Sequence, residues 1–329
     1  MSDGVPVAVL YSKQRKLKDI ATSSLCTNSN ILFQLKIAII LNGISSKKKK
    51  FYTAIVPALQ SSFAISVFET NHAGHAQTLA AELGKKYSVL IAAGGDGTLN
   101  EVLNGIMTLA ERPDLGVIPL GTGNDFAGAC GMLATAASIQ ERLLQPAQPT
   151  DIGKIICHDA DGQRIEKFFM NVCSVGMGPS TVSRMKTKPA WLGSNGKYLL
   201  SILQTFFMHR PEKVTVHTEG FAWTGKVRVV AIANGKSFGN KIYIAPHAKA
   251  EDGIFDVFIG GNVPLLKFLL YLQQIKAKKL IQSTDVHYKM GKKIELSAEQ
   301  KVMLEADGEL VGYLPAAIEI VSAKIDFLR

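Results

Sequence analysis

From Ile37 onward the chain alternates short apolar runs with stretches whose apolar residues recur every three or four positions. The runs Ile37–Leu41, Ala64–Glu69, Val89–Ala93 and Leu115–Leu120 have the length and bias of buried strands. Between them, 51–61 and 76–86 read as helices, and Leu99, Val102, Leu103, Ile106 and Leu109 mark another helical face. Strands and helices alternating through Leu144 predict an α/β domain built on a parallel sheet with helices on both faces. After Pro146 and Pro149 the pattern changes. Strand-like segments follow at 154–158, 167–174, 213–218, 223–233 and 254–259, interrupted by helical stretches at 197–209 and 264–281. They predict a β-rich, sandwich-like second domain. The expected division is a loose N-terminal extension over 1–34, an α/β domain over 35–149 and a β-rich domain over 150–329.

Two of the predicted strands end in glycine. Val89–Ala93 runs into Gly94, Gly95, Asp96, Gly97 and Thr98, and Leu115–Leu120 runs into Gly121, Thr122, Gly123, Asn124 and Asp125. A glycine turn between a strand and a helix lets the backbone approach a ligand. It also aims free N–H groups and the positive end of the helix dipole at phosphate oxygens. One such run alone is equally ordinary turn chemistry. A second glycine loop after the next strand favours a phosphate site at a shared sheet edge. Asp96 departs from a bare phosphate cradle, because a carboxylate repels phosphate. Its presence calls for a bridging Mg²⁺ or for a role in orienting a donor group.

Composition narrows the partners. A net charge of +10 on 329 residues favours an acidic partner, whether nucleotide, nucleic acid or an anionic membrane surface. No zinc-finger spacing or RNA-binding signature is present, so nucleic acid is not expected. Cys26, Cys130, Cys157 and Cys173 are widely spaced, as in a reduced compartment. Lys267 and Lys36 interrupt the longest apolar stretches, and the N-terminus lacks a signal-peptide pattern. The expectation is a soluble, cytoplasmic chain that would reach a membrane only from its surface. The stretch Pro264–Gln282 admits two readings. Leu265, Phe268, Leu269, Leu272 and Ile275 form one apolar face, with Lys267, Lys276, Lys278 and Lys279 alongside. That face either packs inward or lies in an anionic membrane surface.

The segments GGDGTLNEV (94–102) and PLGTGNDFA (119–127) closely resemble the diacylglycerol kinase catalytic domain family, which includes sphingosine and ceramide kinases and soluble bacterial lipid kinases. NAD kinases and phosphofructokinases share a GGDG loop, whereas the second segment looks specific to the lipid kinase branch. The resemblance runs from about Lys36 to the C-terminus. It implies transfer of the γ-phosphoryl group of ATP, with Mg²⁺, to the hydroxyl of a neutral lipid, foremost diacylglycerol to give phosphatidic acid. It also implies peripheral membrane contact and a homodimer. Nucleotide contacts carried over are Asn42, Thr70, Gly94, Gly95, Asp96, Gly97, Thr98, Asn100, Thr122, Gly123 and Asn124. The family's Asn-Pro opening is broken here, since Gly43 and then the lysine run 47–50 follow Asn42. His75 reads as a helix-start residue. PHAKAEDGIF (246–255) resembles a segment holding a structural Mg²⁺ through Asp252, with carbonyls near Lys249 and Ile254. LEADGE (304–309) resembles the segment whose Glu309 is the general base, with Asp96 acting through the metal. A NAD kinase-like small-molecule kinase and a non-catalytic lipid or nucleotide sensor are the rival readings.

Overall fold

The computed structural model describes residues 36–121, 123–186, 193–239 and 241–329. The first half runs β1 (Ile37–Leu41), α1 (48–60), β2 (Ile65–Glu69), α2 (His75–Leu83), β3 (Val89–Gly94), α3 (Asp96–Ile106), β4 (Asp114–Pro119), α4 (Asp125–Ala129) and α5 (Ala136–Leu143). Within α1 the turn Phe51–Ile55 is π-helical and ends two residues before Pro57. Proline lacks an N–H and crowds the preceding turn, so a widened turn there relieves the ladder.

The continuous apolar runs of β1 and β3 follow from burial on both faces. Ile37, Ile39, Leu41, Val89 and Ile91 face α1 and α5, where they meet Phe51, Leu59, Ile139 and Leu143. The alternate residues Ala38, Ile40, Leu90 and Ala92 face α2 and α3, against Ala80, Leu99, Val102 and Leu103. Period-two alternation in a strand covered on both sides yields uninterrupted hydrophobicity.

The second half runs β5 (Gln148–His158), β6 (Arg164–Phe169), β7 (Val172–Gly176), α6 (Met177–Lys186), α7 (Gly193–Met208), β8 (Glu212–Thr218), β9 (Phe221–Ala233), β10 (Phe255–Gly261), α8 (Leu265–Lys276), β11 (Val286–Gly291), β12 (Lys293–Ala298), β13 (Met303–Ala306) and β14 (Glu309–Phe327). Ile155, Val175, Val216, Val230, Leu296 and Ile318 are among the residues of its interior.

Two expectations are corrected. The sheet is not purely parallel. β2, β1, β3 and β4 pair in parallel. The sheet then continues through β14 into β13, β7, β9, β10 and β11, where the pairs run antiparallel. β14 joins the two parts, with Phe327 beside Leu115 on the flank of β4 that would otherwise be an open edge. The strand expected over 167–174 is also two strands. The backbone N–H groups of Met170, Asn171 and Val172 leave the ladder and donate to the carboxylate of Asp307.

Helices α2 and α3 approach so closely that a Cβ on Gly105 would lie 2.2 Å from the carbonyl oxygen of Gln77 and 2.7 Å from Cβ of Ala80. Gly105→Ala gains about 1 kcal/mol of helix propensity but meets backbone that has no room to yield, at roughly 1–3 kcal/mol. The overpacking term wins. Gly105→Ala is expected to melt a few degrees below wild type in thermal denaturation, and a higher melting temperature would show the helices to be further apart.

Candidate functional site

The carboxyl ends of β1 to β4 bring the glycine loops together. Gly94 accepts from the N–H of Leu120 and Gly121 at 2.9 and 3.1 Å, tying the first loop to the second. A Cβ on Gly121 would lie 2.4 Å from Cα of Gly95, so only glycine permits this backbone contact. Asn42 follows β1, and its Nδ2 donates to Thr98 Oγ1 at 3.4 Å. Thr70 follows β2, and its Oγ1 accepts from Gly43 N–H at 3.2 Å. Asn124 folds back on Gly121, accepting from its N–H and donating to its carbonyl at 3.1 and 2.9 Å. Lys47 of the lysine run reaches the same loop, with Nζ 3.2 Å from the Gly121 carbonyl. The structure therefore gathers Asn42, Thr70, Gly94 to Thr98, Gly123 and Asn124 at one edge. Thr122 lies outside the described residues. Asn100 turns away, donating to the carbonyl of Phe168 and to Asp307. His75 opens α2, while Glu101 accepts from the N–H of Gly74 and Ala76 at that helix's amino end.

No side chain caps α3 at Gly95. The N–H groups of its first turn have no partner within the helix, an arrangement suited to an anion. Asp96 begins this helix, and its carboxylate accepts from the N–H of Asp125 at 3.1 Å and of Phe126 at 3.4 Å. It thus serves the amino end of α4 and locks the second loop to the first. Burial, followed by the neighbouring charge of Asp125, pushes the Asp96 carboxyl up to about 6. Asp125 in turn accepts from the N–H of Lys241, a contact from the second half.

Glu309 arrives from the second half by a tight hairpin. β13 and β14 are joined by Asp307 and Gly308, with φ of 50° and 84°, and Ala306 pairs with Glu309. Positive φ at both central residues is the turn that Asp-Gly favours in a hairpin. A Cβ on Gly97 would lie 3.3 Å from Glu309 Oε1, so this exposed carboxylate stands over the first turn of α3. Two acids that the sequence reading passed over hold the hairpin, Glu305 buried and Asp307 half-buried. Asp307 accepts from Met170, Asn171, Val172 and Asn100 at 2.9 to 3.2 Å. Glu305 accepts from the Ser174 hydroxyl and from Gly308 N–H, and burial lifts its carboxyl to about 7. Both lie within LEADGE, where their position beside a hairpin turn was the available signal.

For a metal the arrangement is sparse. Among the described residues no group of three or more His, Cys, Asp or Glu side chains is placed to hold an ion. Asp252 is exposed and its Oδ1 accepts from Ile254 N–H at 3.3 Å within its own turn, while Gly253 N–H donates to Asp151. The shell expected from Asp252, Lys249 and Ile254 thus offers one carboxylate, already engaged in a turn.

Comparison with known proteins agrees with this architecture. Residues 36–155 match the diacylglycerol kinase catalytic domain, and residues 171–329 match the YegS C-terminal NAD kinase beta sandwich-like domain. The chain is 29% identical over 286 residues to the diacylglycerol kinase of Bacillus subtilis, covering 84% of this chain and 90% of that one. It is 31% identical over 225 residues to a probable lipid kinase YegS-like of Pseudomonas putida, covering 68% and 73%. The crystal structure of a diacylglycerol kinase from Bacillus anthracis shares the fold, with a TM-score of 0.68 at 21% identity over 89% of this chain and 96% of that one. Among the described residues no helix is long and apolar enough to cross a membrane. This chain is a kinase and belongs to the diacylglycerol kinase catalytic domain family of lipid kinases.

Proposed function

We propose that this kinase transfers the γ-phosphoryl group of ATP to the free hydroxyl of diacylglycerol, giving phosphatidic acid and ADP. The nucleotide phosphates lie on the two glycine loops, within residues 35–149, and the lipid approaches from residues 150–329. The enzyme works as a cytoplasmic protein, peripheral at the inner face of the membrane. The observation that carries this reading is the place of Glu309, over the uncapped amino end of α3 where the glycine loops meet.

In this reading the lipid hydroxyl attacks the γ-phosphorus in line while its proton passes to Glu309, and the bond to the β–γ bridging oxygen breaks with its electron pair leaving on ADP. The N–H groups at the start of α3 face charge on the transferred group, with Lys47 beside the Gly121 carbonyl as a nearby cation. Asp96 keeps the loops in register through Asp125 and Phe126. A magnesium ion entering with ATP would meet Asp96, and when bound it neutralises phosphate charge. Fixing loop and base on opposite halves of the molecule orients the reactants before the bond forms.

Three outcomes test this. Glu309→Gln keeps shape and removes basicity, so turnover is expected to fall by roughly 10²–10⁴-fold while ATP affinity stays near wild type. A parallel loss of ATP affinity would make Glu309 a nucleotide contact instead. Labelled-ATP transfer across a lipid panel reads both, and preference for a lipid other than diacylglycerol would redirect the substrate assignment.

Asp96→Asn is expected to lower turnover on the order of 10²-fold or more in a folded protein; near-normal turnover would remove Asp96 from the site.

The same variant carries a pH signature. The folded Asp96 value of about 6 lies above the unfolded value of 3.8. The folded state therefore binds the proton more tightly, and its contribution is full at low pH and lost as pH rises through about 6. The melting temperature of wild type relative to Asp96→Asn should fall as pH rises from about 4 to about 7, across the unfolded and folded values. A constant difference would show that Asp96 titrates normally.

A further inference from the structure

Helices α7 and α8 cover one face of the second half's sheet. Ile202 and Phe206 of α7 share a core with Leu272 and Ile275 of α8, and Phe206 meets Phe268 with ring centroids 4.7 Å apart. Both helices bury their inner faces in that core, and the Phe206–Phe268 contact joins them. The end of α7 is held in place. Arg228 donates to the carbonyls of Phe206 and His209 at 3.0 and 3.1 Å, and its guanidinium lies 4.1 Å from the centre of the Phe206 ring.

The outer faces are apolar. Phe207 is 70% exposed, Met208 63%, Leu266 73% and Leu270 50%. On α8 the face expected to be apolar turns inward, with Leu272 and Ile275 buried and Leu265 and Phe268 packed against the core. Leu266 and Leu270 are a second apolar set with no core to fill. Large apolar residues exposed on two joined helices mark an interaction surface.

Charge chooses the partner. Residues 193–210 and 264–282 contain no Asp or Glu, but carry Lys197, Arg210, Lys267, Lys276, Lys278 and Lys279. Lys267 is paired with Asp285, and Lys278 lies over the Tyr243 ring. Arg210, Lys276 and Lys279 are exposed. A second copy presenting the same face would set positive charge against positive charge, as a twofold contact requires. An anionic lipid surface meets both the apolar residues and the cations.

We propose that the outer face of α7 and α8 is the membrane-docking surface, with Phe207, Met208, Leu266 and Leu270 entering the interfacial layer of an anionic bilayer. Its purpose rests on the lipid-kinase reading above; its test does not. The full chain is floated with phosphatidylcholine vesicles containing phosphatidylglycerol. The double variant Phe207→Ser, Leu266→Ser is expected to lose vesicle binding by at least ~10-fold, with unchanged melting temperature and ATP affinity. Should the double variant unfold, Phe207→Trp keeps the question open to measurement. Its added indole is expected to be quenched by brominated lipid beyond the wild-type signal. Wild-type vesicle binding by a folded double variant, or an unquenched indole on vesicle-bound protein, overturns the proposal. So does sedimentation showing that the double variant converts a dimer to a monomer, because the face is then a subunit contact. A chain that docks through this face yet phosphorylates no lipid would leave the surface standing and remove diacylglycerol as substrate.

Discussion

One half-buried carboxylate sets the relation between the two halves of the molecule. Asp307 accepts from three successive backbone N–H groups, those of Met170, Asn171 and Val172, and from the amide of Asn100 on α3. Those donors have no ladder partner where β6 gives way to β7, and burying them unpaired would be costly, at roughly 1–3 kcal/mol each. The carboxylate itself is held above its ordinary value by burial, against the pull of these hydrogen bonds. Since Asp307 is also the first residue of the hairpin turn, satisfying the strand break and aiming Glu309 are a single structural event.

The glycine loops depend on that alignment from the other side. Gly95 and Gly121 touch through backbone alone, and Asp96 fastens the second loop by accepting from the start of α4. Such an arrangement places desolvated acids, Asp96 and Glu305 among them, in one neighbourhood, and their carboxyls are displaced to about 6 and about 7. Burial, with other carboxylates close by, raises both, so each keeps its proton more readily than a carboxyl in water.

A similar logic separates the two apolar populations of the second half. Val216, Val230, Leu296 and Ile318 fill the interior, whereas Phe207 and Leu266 stand outside it on helices without acidic residues. The interior is explained by folding. The outer set contributes nothing to the core, and in the docking proposed above it meets the phase in which a lipid substrate resides.

The strand–helix alternation of the first half was legible from the sequence, because β1 and β3 are buried on both faces and therefore read as unbroken apolar runs. The glycine loops were legible as well, since turn chemistry is local. β11 to β14 escaped detection because they mix charged residues with short alternation, as in Lys293–Ala298, and draw their stability from neighbours distant in the chain. The break at Met170 and Asn171 was hidden for the same reason, its acceptor being Asp307. Sequence by itself determined which segments would be apolar, where the chain would turn on glycine, and which carboxylates were available. Only the tertiary structure decided that β14 closes the edge of β4, that Asn100 faces Asp307, and that Glu309 stands over Gly97. These are pairings between distant residues, and their energies exist only once the intervening chain has folded.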